Sequence, residues 1–470
     1  MKTNHTFITA GILAGLCGSM ASLAGCASVG PNYHKPASQT PAQWSAPLSI
    51  GEHPSPEKLS SWWKNFHDPE LDSLIERAFS QNLDIKAAVA RVRESRAQYG
   101  IAESQNGPGV GALGAYQRGA LPASLSSSKN TYVSGFDASW EIDLFGGVRR
   151  SEESARAEVE ALEFAQADTR ISIEAEIARN YIELRAYQSR LEIARQNIRS
   201  QEISLGITQK RYSNGLSSNL DVQQATALLE TTRSQIPSLE SAVNASMNRL
   251  SVLLALPPGS LSGELAAAAT IPPTPPSVAV ALPSELMERR PDVRAAERQL
   301  AAAAAQIGVA KADLFPKFSL TGAAGSIADR PGNWYSAGTR FWTVGPVVEW
   351  NLFDSGRIRA NIKVKTAQQE QALYGYEKTV LGAFEDVENG LVAYAKERTR
   401  YESLCKAEAA SREALRLANE LYSNGLASFI NVLDAQRSLY QVQDQLVQSQ
   451  AAVSLDLVKL YKALGGGWET

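Results

Sequence analysis

Histidine and cysteine are nearly missing from this sequence. Its four histidines, His5, His34, His53 and His67, all lie in the first 67 positions, and its three cysteines are Cys17, Cys26 and Cys405. A chain of 470 residues so poor in both offers no zinc-type ligand cluster and no histidine-based triad in its main body. No metal or cofactor is expected; a carboxylate-only active site fits the composition, but nothing singles one out. Charge of one sign is missing too. The 46 Lys+Arg stand against 49 Asp+Glu, a net charge of −3, which leaves no basic field for nucleic acid. Past residue 26 there is no run of about eighteen apolar residues, which excludes spanning α-helices. It does not exclude a membrane protein, because barrel strands alternate and leave no hydropathy signal. Otherwise the 44% hydrophobic content is that of an ordinary globular chain, and the length suggests two or three domains.

The amino terminus is an address. Residues 1–25 read as a secretory signal, with Lys2 as a thin positive start and Phe7 to Leu16 as a short apolar stretch. Leu23-Ala24-Gly25-Cys26 closes it and resembles the bacterial lipobox, which implies cleavage before Cys26 and acylation of its thiol. Ala27 follows rather than Asp, which in such lipoproteins implies sorting to the outer membrane. With Cys17 removed and Cys26 carrying lipid, Cys405 has no disulfide partner in the chain and reads as a small apolar helix residue.

What the sequence has in abundance is itself. Ala97-Gln98-Tyr99-Gly100-Ile101-Ala102 recurs as Ala305-Gln306-Ile307-Gly308-Val309-Ala310, an offset of 208. Tyr212-Ser213-Asn214-Gly215-Leu216 recurs as Tyr422-Ser423-Asn424-Gly425-Leu426, an offset of 210, which Trp140 and Trp350 share. One unit is therefore used twice, and the second copy gained two residues between these blocks. The expected organisation is an N-terminal extended segment at 26–67, a first repeat at 68–256, a Pro-rich linker at 257–283 and a second repeat at 284–470.

Each repeat shows the same order of patterns. A helical stretch (Leu71 to about Gln105, then Ser284 to about Leu314) precedes a Gly-rich alternating region with two strands. A very long helical stretch follows, over Val148–Tyr212 and Arg357–Tyr422, neither containing proline. At about 1.5 Å per residue, each would run on the order of 100 Å. Gly after Asn suits a helix C-terminus in the left-handed region, so Asn214-Gly215 and Asn424-Gly425 read as tips of helical hairpins. Beyond the tips the pattern resumes, to about Leu256 and Leu464. In the last arm Leu439, Val442, Leu446, Val453, Leu457, Leu460 and Leu464 form a coiled-coil seam.

Four strands are expected, at about 109–118, 131–144, 317–326 and 341–352. Tyr132, Ser134, Phe136, Ala138, Trp140, Ile142 and Leu144 alternate with Gly135, Asp137, Ser139, Glu141 and Asp143. Trp342, Val344, Pro346, Val348, Trp350 and Leu352 do the same against Thr343, Gly345, Glu349 and Asn351. About ten residues suffice for a tilted transmembrane strand, and a polar face suits a water-filled lumen. Pro346 is awkward in a strand because it removes a ladder donor. A soluble half-buried hairpin would show the same alternation. If the strands do span, four cannot close a barrel, whose minimum is about eight, and lipid tolerates no open edge. The protein would then have to be an oligomer that pools them.

Several motifs carry a family resemblance. They are Val29-Gly30-Pro31-Asn32-Tyr33 with Pro36, and Trp62-Trp63-Lys64-Asn65-Phe66-His67-Asp68-Pro69. Arg289-Arg290-Pro291-Asp292-Val293, Trp350-Asn351-Leu352-Phe353-Asp354 and Leu464-Gly465-Gly466-Gly467-Trp468 complete the set. With them the chain, from Cys26 to its end, resembles TolC-type outer-membrane efflux channels, specifically the lipoprotein branch of multidrug efflux outer-membrane factors. The resemblance implies an α+β membrane protein, a homotrimer whose strands form one twelve-stranded barrel continued by an α-helical tunnel through the periplasm. It implies a passive, non-enzymatic duct that docks onto a periplasmic adaptor protein and an inner-membrane pump. The adaptor would meet the tips at Asn214, Gly215, Asn424 and Gly425.

A gate at the periplasmic tip is part of that resemblance. Asp434, in Asn431-Val432-Leu433-Asp434-Ala435, is the family position for a carboxylate that meets its copies across the threefold axis. Asp221 and Tyr422 are the positions of a link between the two hairpins. Ala427 and Asn431 stand where the best-known pattern has an arginine and a further aspartate, so the closing network is expected to be thinner. A protein-secretion channel of the type I kind and a lipid-anchored periplasmic scaffold without a pore are the alternative readings.

Overall fold

The computed structural model describes residues 28–37, 40–41, 43–45, 59–119, 129–275 and 283–468. Cys26 and the signal segment lie outside them. A 3-10 turn at Trp62–Phe66 leads into α1 (Pro69–Gln81) and α2 (Leu83–Ser104), then β1 (Gly109–Gly119) and β2 (Lys129–Ile142). The long helix α3 (Gly147–Ser213) is followed by α4 (Asn219–Arg233), α5 (Ile236–Leu253) and the short α6 (Ser262–Leu265). The second half repeats the order with α7 (Pro283–Arg289), α8 (Pro291–Ala312), β3 (Lys317–Ala328), β4 (Arg340–Glu349), α9 (Arg357–Ser423) and α10 (Phe429–Ala463). No described helix is long and apolar enough to cross a membrane.

Three expected helices are broken, each for a local reason. Asn82 splits the first: its side-chain oxygen accepts from the Asp84 and Ile85 N–H groups, capping α2 while ending α1. Its counterpart at the offset of 208 is Arg290, where Pro291 starts α8 and the same break recurs. The third break belongs to one copy only. Pro237 cannot donate to the turn before it, so the arm after the first tip divides into α4 and α5, whereas α10 has Val447 at that place and runs on.

The chain forms two compact units, each drawn from both repeats. One unit comprises residues 1–37, 91–163 and 295–377. It holds the four strands, and small residues let its helices approach closely: Ala157, Ala301 and Ala302 are buried together. The strap at 28–37 is tied down by Val29 N–H to the Phe145 carbonyl (3.0 Å) and by Arg150, which donates to the Val29 carbonyl (3.2 Å) and Asn32 Oδ1 (2.6 Å).

The other unit comprises residues 38–90, 164–294 and 378–470. Its core gathers Trp62, Phe66, Leu71, Leu74, Ile75 and Ala78, all fully buried, with the Trp62 ring stacked on Tyr461 at 5.4 Å. Asp68 explains one of the motifs: its carboxylate caps α1 through the Glu70 and Leu71 N–H groups and accepts the Tyr181 hydroxyl. The Leu464–Trp468 motif closes this core. Gly467 N–H donates to the Leu59 carbonyl and Trp468 Nε1 to the Arg289 carbonyl, both at 2.9 Å.

Candidate functional site

Two places hold the candidate residues: the sheet in the first unit and the hairpin tips in the second. The sheet is antiparallel in the order β1-β2-β3-β4, with β1 and β4 as its open edges. Strand positions agree with the sequence expectation to within a few residues. Registry fixes the faces, because residues paired across strands share a side. Phe136 faces Ala112 and Ala324, Trp140 faces Leu320, and Phe318 faces Val348. This face is apolar along its middle, and it is uncovered: Phe136, Trp342 and Val344 are all more than 60% exposed. The opposite face carries Asp137, Ser139, Glu141, Thr321, Thr343 and Glu349, with Lys317 paired to Glu349. Pro346 lies on an edge strand, and the β3–β4 pairing runs past it without interruption.

Two facing glycines lie on the polar side of this wall. Gly135 faces Gly325, and a Cβ on Gly325 would lie 2.3 Å from the Ser134 carbonyl oxygen, so the strands approach where no side chain stands. At the strand ends, the Trp140 indole N–H donates to the Asn106 carbonyl (2.9 Å) and the Trp350 indole N–H to the Leu314 carbonyl (3.1 Å). Tryptophan with an apolar body and one satisfied N–H is the side chain of a membrane interface.

In the second unit both tips close in the same way. After α3, Leu216 N–H reaches the Arg211 carbonyl (2.8 Å) and Gly215 N–H the Tyr212 carbonyl (2.9 Å). After α9, Leu426 N–H reaches Leu421 (2.9 Å) and Gly425 N–H reaches Tyr422 (3.1 Å). Gly215 and Gly425 have φ of +73° and +72°, the left-handed conformation this motif demands. Asn214 and Asn424, expected at the turns, stand immediately before them, and Leu216 and Leu426 project into solvent.

The expected link between Asp221 and Tyr422 is not made within the chain. Asp221 is the third residue of α4 and accepts from the Ser217 hydroxyl (2.7 Å) and the Ser218 N–H (3.0 Å), while its own N–H donates to Ser218 Oγ (3.2 Å). This capping box takes up its carboxylate. Partial burial opposes ionisation of Asp221, but these donors outweigh it and hold the carboxyl below its ordinary range. The Tyr422 hydroxyl is buried without a hydrogen-bond partner among the described residues. What reaches Tyr422 instead is Arg211, whose guanidinium lies 4.7 Å from the ring centre, and Phe429, at 5.2 Å. With Ala225, Val432 and Leu433, Tyr422 and Phe429 form one buried cluster joining the two hairpins. Arg211 was not singled out by sequence reasoning; its place one residue before Tyr212, the repeat counterpart of Tyr422, was the available signal. Asp434 is exposed on the first turns of α10 and pairs with Arg437 at 3.1 Å.

Residues 74–256 and 282–466 match the family described as outer membrane efflux protein, once for each repeat. The chain belongs to this family. It is 36% identical to the pyoverdine export outer membrane protein OpmQ of Pseudomonas putida over 441 residues, 91% of this chain and 92% of that one. It is 30% identical to the probable outer membrane lipoprotein SilC of Salmonella typhimurium, with 95% and 96% covered. Among solved structures, the outer-membrane channel OprN superimposes with a TM-score of 0.86 at 34% identity, covering 94% of this chain and all of that one. The protein is thus an outer-membrane efflux component of a family of transport channels, and the bare face of its sheet is the part suited to lipid.

Proposed function

We propose that three copies pool their sheets into one closed barrel in the outer membrane, continued by the long helical hairpins as a water-filled tunnel into the periplasm. The chain is then the exit duct of a tripartite assembly. A periplasmic adaptor meets the tips around Asn214-Gly215 and Asn424-Gly425, and an inner-membrane pump supplies the cargo. A lipid on Cys26 tethers the duct, a reading supported by the SilC relative's description as a lipoprotein. The observation that carries the proposal is the sheet itself: one face apolar along its middle, the other carrying Asp137, Ser139, Glu141, Thr321 and Glu349, and both edges open. In lipid an open edge leaves backbone groups unpaired at a cost of several kcal/mol each, so such a sheet is stable there only when closed by further strands.

Conduction is passive and needs a gate at the tips. The reading of Asp434 as its carboxylate is supported by its exposure on the first turns of α10, next to Leu433 of the buried cluster. Three such carboxylates around an axis favour cations, and each Arg437 tempers the charge of its own ring member. Tyr422 holds the hairpins together through Arg211 and Ala225 of the first hairpin, and Asp221 sets the start of α4. Single-channel recording of wild type against Asp434→Ala tests this. The variant should conduct more and select cations less. Unchanged conductance and selectivity would reject the gate assignment alone, and wild type silent in both polarities would reject the channel.

A further inference from the structure

The apolar face of the sheet finishes differently at its two ends. Toward the helices it reaches Trp140 and Trp350, and two cations nearby are neutralised: Lys317 by Asp313 and Arg149 by Asp143, both at 3.3 Å. Toward the hairpin loops it passes into aromatic rings and then arginines. Tyr116 and Tyr132 pair across β1 and β2 with ring centres 4.9 Å apart, and Tyr132 packs on Trp334 at 5.7 Å. Arg118, next to the last residue of β1, faces Asn130, and Arg340, the first residue of β4, faces Ser326; both stand on this side of the sheet. Tyr132 and Trp140 are eight residues apart, about 27 Å along the strand and roughly 20 Å along the normal for a tilt of about 40°. The aromatic rings thus mark both margins of one apolar band, and the arginines lie at one margin only.

The loop between β3 and β4 builds that margin. Ser134 and Ser326 face each other on the apolar side, where lipid offers a hydroxyl no partner, and the loop uses both. The Trp334 indole N–H donates to Ser134 Oγ (2.9 Å), and the Ser134 hydroxyl donates to that of Tyr335 (3.0 Å). The Tyr335 N–H donates to Ser326 Oγ (3.2 Å), and Ser326 is fully buried. Tyr335 is held at φ +76°, a left-handed conformation that a tyrosine adopts only under constraint. Its ring lies parallel to that of Trp334, at 7° and 5.8 Å, and is 60% exposed. Arg340 Nε–H donates to the Tyr335 carbonyl (3.2 Å), which ties the guanidinium to the same loop. Arg118 and Arg340 make no ion pair among the described residues, and Arg330, where the loop begins, has only Asp329 at 3.8 Å.

We propose that this margin binds phosphorylated lipid headgroups of the outward-facing leaflet, with phosphates on the arginines, the headgroup body against the Trp334 and Tyr335 rings and acyl chains along the apolar face. The proposal rests on the barrel reading, which makes the loop end the outward one. Charge complementarity selects the partner: a guanidinium offers a planar fork that matches phosphate oxygens, and these arginines lack carboxylates to occupy it. Continuity with the apolar face selects a lipid over a free anion, because only a lipid covers both. Three strand spacings of about 4.8 Å separate Arg118 from Arg340, so the two meet different phosphate groups.

Native mass spectrometry of the full-length protein tests this, in micelles doped with a bis-phosphorylated disaccharide lipid (lipid A) or with the same lipid after its phosphates are removed. Wild type should retain the phosphorylated form about tenfold better, the worth of one hydrogen bond to a charged group. Arg118→Gln combined with Arg340→Gln should abolish that preference, and Arg340→Lys, which keeps the charge and loses the fork, should reduce it. Equal retention of the two lipids by wild type would overturn the headgroup site, whatever the variants do. An undiminished preference in the double variant would overturn the role of these arginines. Displacement of the lipid by millimolar inorganic phosphate would overturn the lipid as occupant in favour of a free anion. Planar-bilayer conductance of the same preparation separates the two readings. A conducting protein without the preference overturns this inference alone, whereas one that never conducts overturns the barrel and the inference with it.

Discussion

The two hairpin tips end in the same turn and start the next helix by different means. In the first copy Ser217, Ser218 and Asp221 do the work through polar contacts, and Tyr212, before the turn, is half exposed. In the second, Ser428 makes no side-chain cap and Asn431 replaces the aspartate, but Phe429 stands where the first copy has Asn219, buried against Tyr422. One tip is held by hydrogen bonds that water can replace, the other by apolar burial that water cannot. Duplicated sequence gave both the same turn; divergence made one a solvated end and the other a junction between hairpins.

The largest effect that would break this contrast is at the apolar tip. Phe429→Ala should cost about 3–5 kcal/mol and raise amide exchange across residues 429–434, read by hydrogen-exchange mass spectrometry. At the polar tip Ser218→Ala should cost about 1 kcal/mol, while Ser428→Ala, which removes no cap, should be close to neutral in thermal unfolding. Acid separates the tips as well. The Asp221 pKa is lowered in the folded state, so its contribution is present above the ordinary aspartate value of about 3.9 and is lost as pH falls below it. Exchange should therefore rise at residues 218–222 on acidification and not at 428–432. A smaller change would convert one tip toward the other: Asn431→Asp restores the capping-box acid to α10 and should gain a few tenths of a kcal/mol. Smallest of all, Tyr422→Phe removes a buried hydroxyl that has no partner among the described residues and should leave stability unchanged or slightly higher. A loss of about 1–3 kcal/mol would show that the hydroxyl finds a partner in the assembly.

Much of this was legible beforehand, for physical reasons. The strands were, because alternation and register share a period of two, and the tips were, because Asn-Gly at a helix end has few other uses. The divided helices were not: periodicity runs through Asn82 and through Ser234-Gln235, and only capping at Asn82 and the missing donor of Pro237 interrupt it. The partners of the candidate gate residues were not legible. Motif resemblance placed Asp221 opposite Tyr422, yet Asp221 lies three residues after Ser218, and a local cap forms at less entropic cost than a contact between hairpins. For Arg211 the sequence offered only its place beside Tyr212, because a cation over a ring depends on how two helices meet.

The central claim is that the four strands stand between lipid and water. Single cysteines along β2, in outer-membrane vesicles and a Cys405→Ser background, test it most directly with a membrane-impermeant maleimide. Labelling should alternate: Thr131→Cys, Asp137→Cys and Ser139→Cys react, whereas Tyr132→Cys, Phe136→Cys and Ala138→Cys are protected. Equal labelling of both faces would contradict the account.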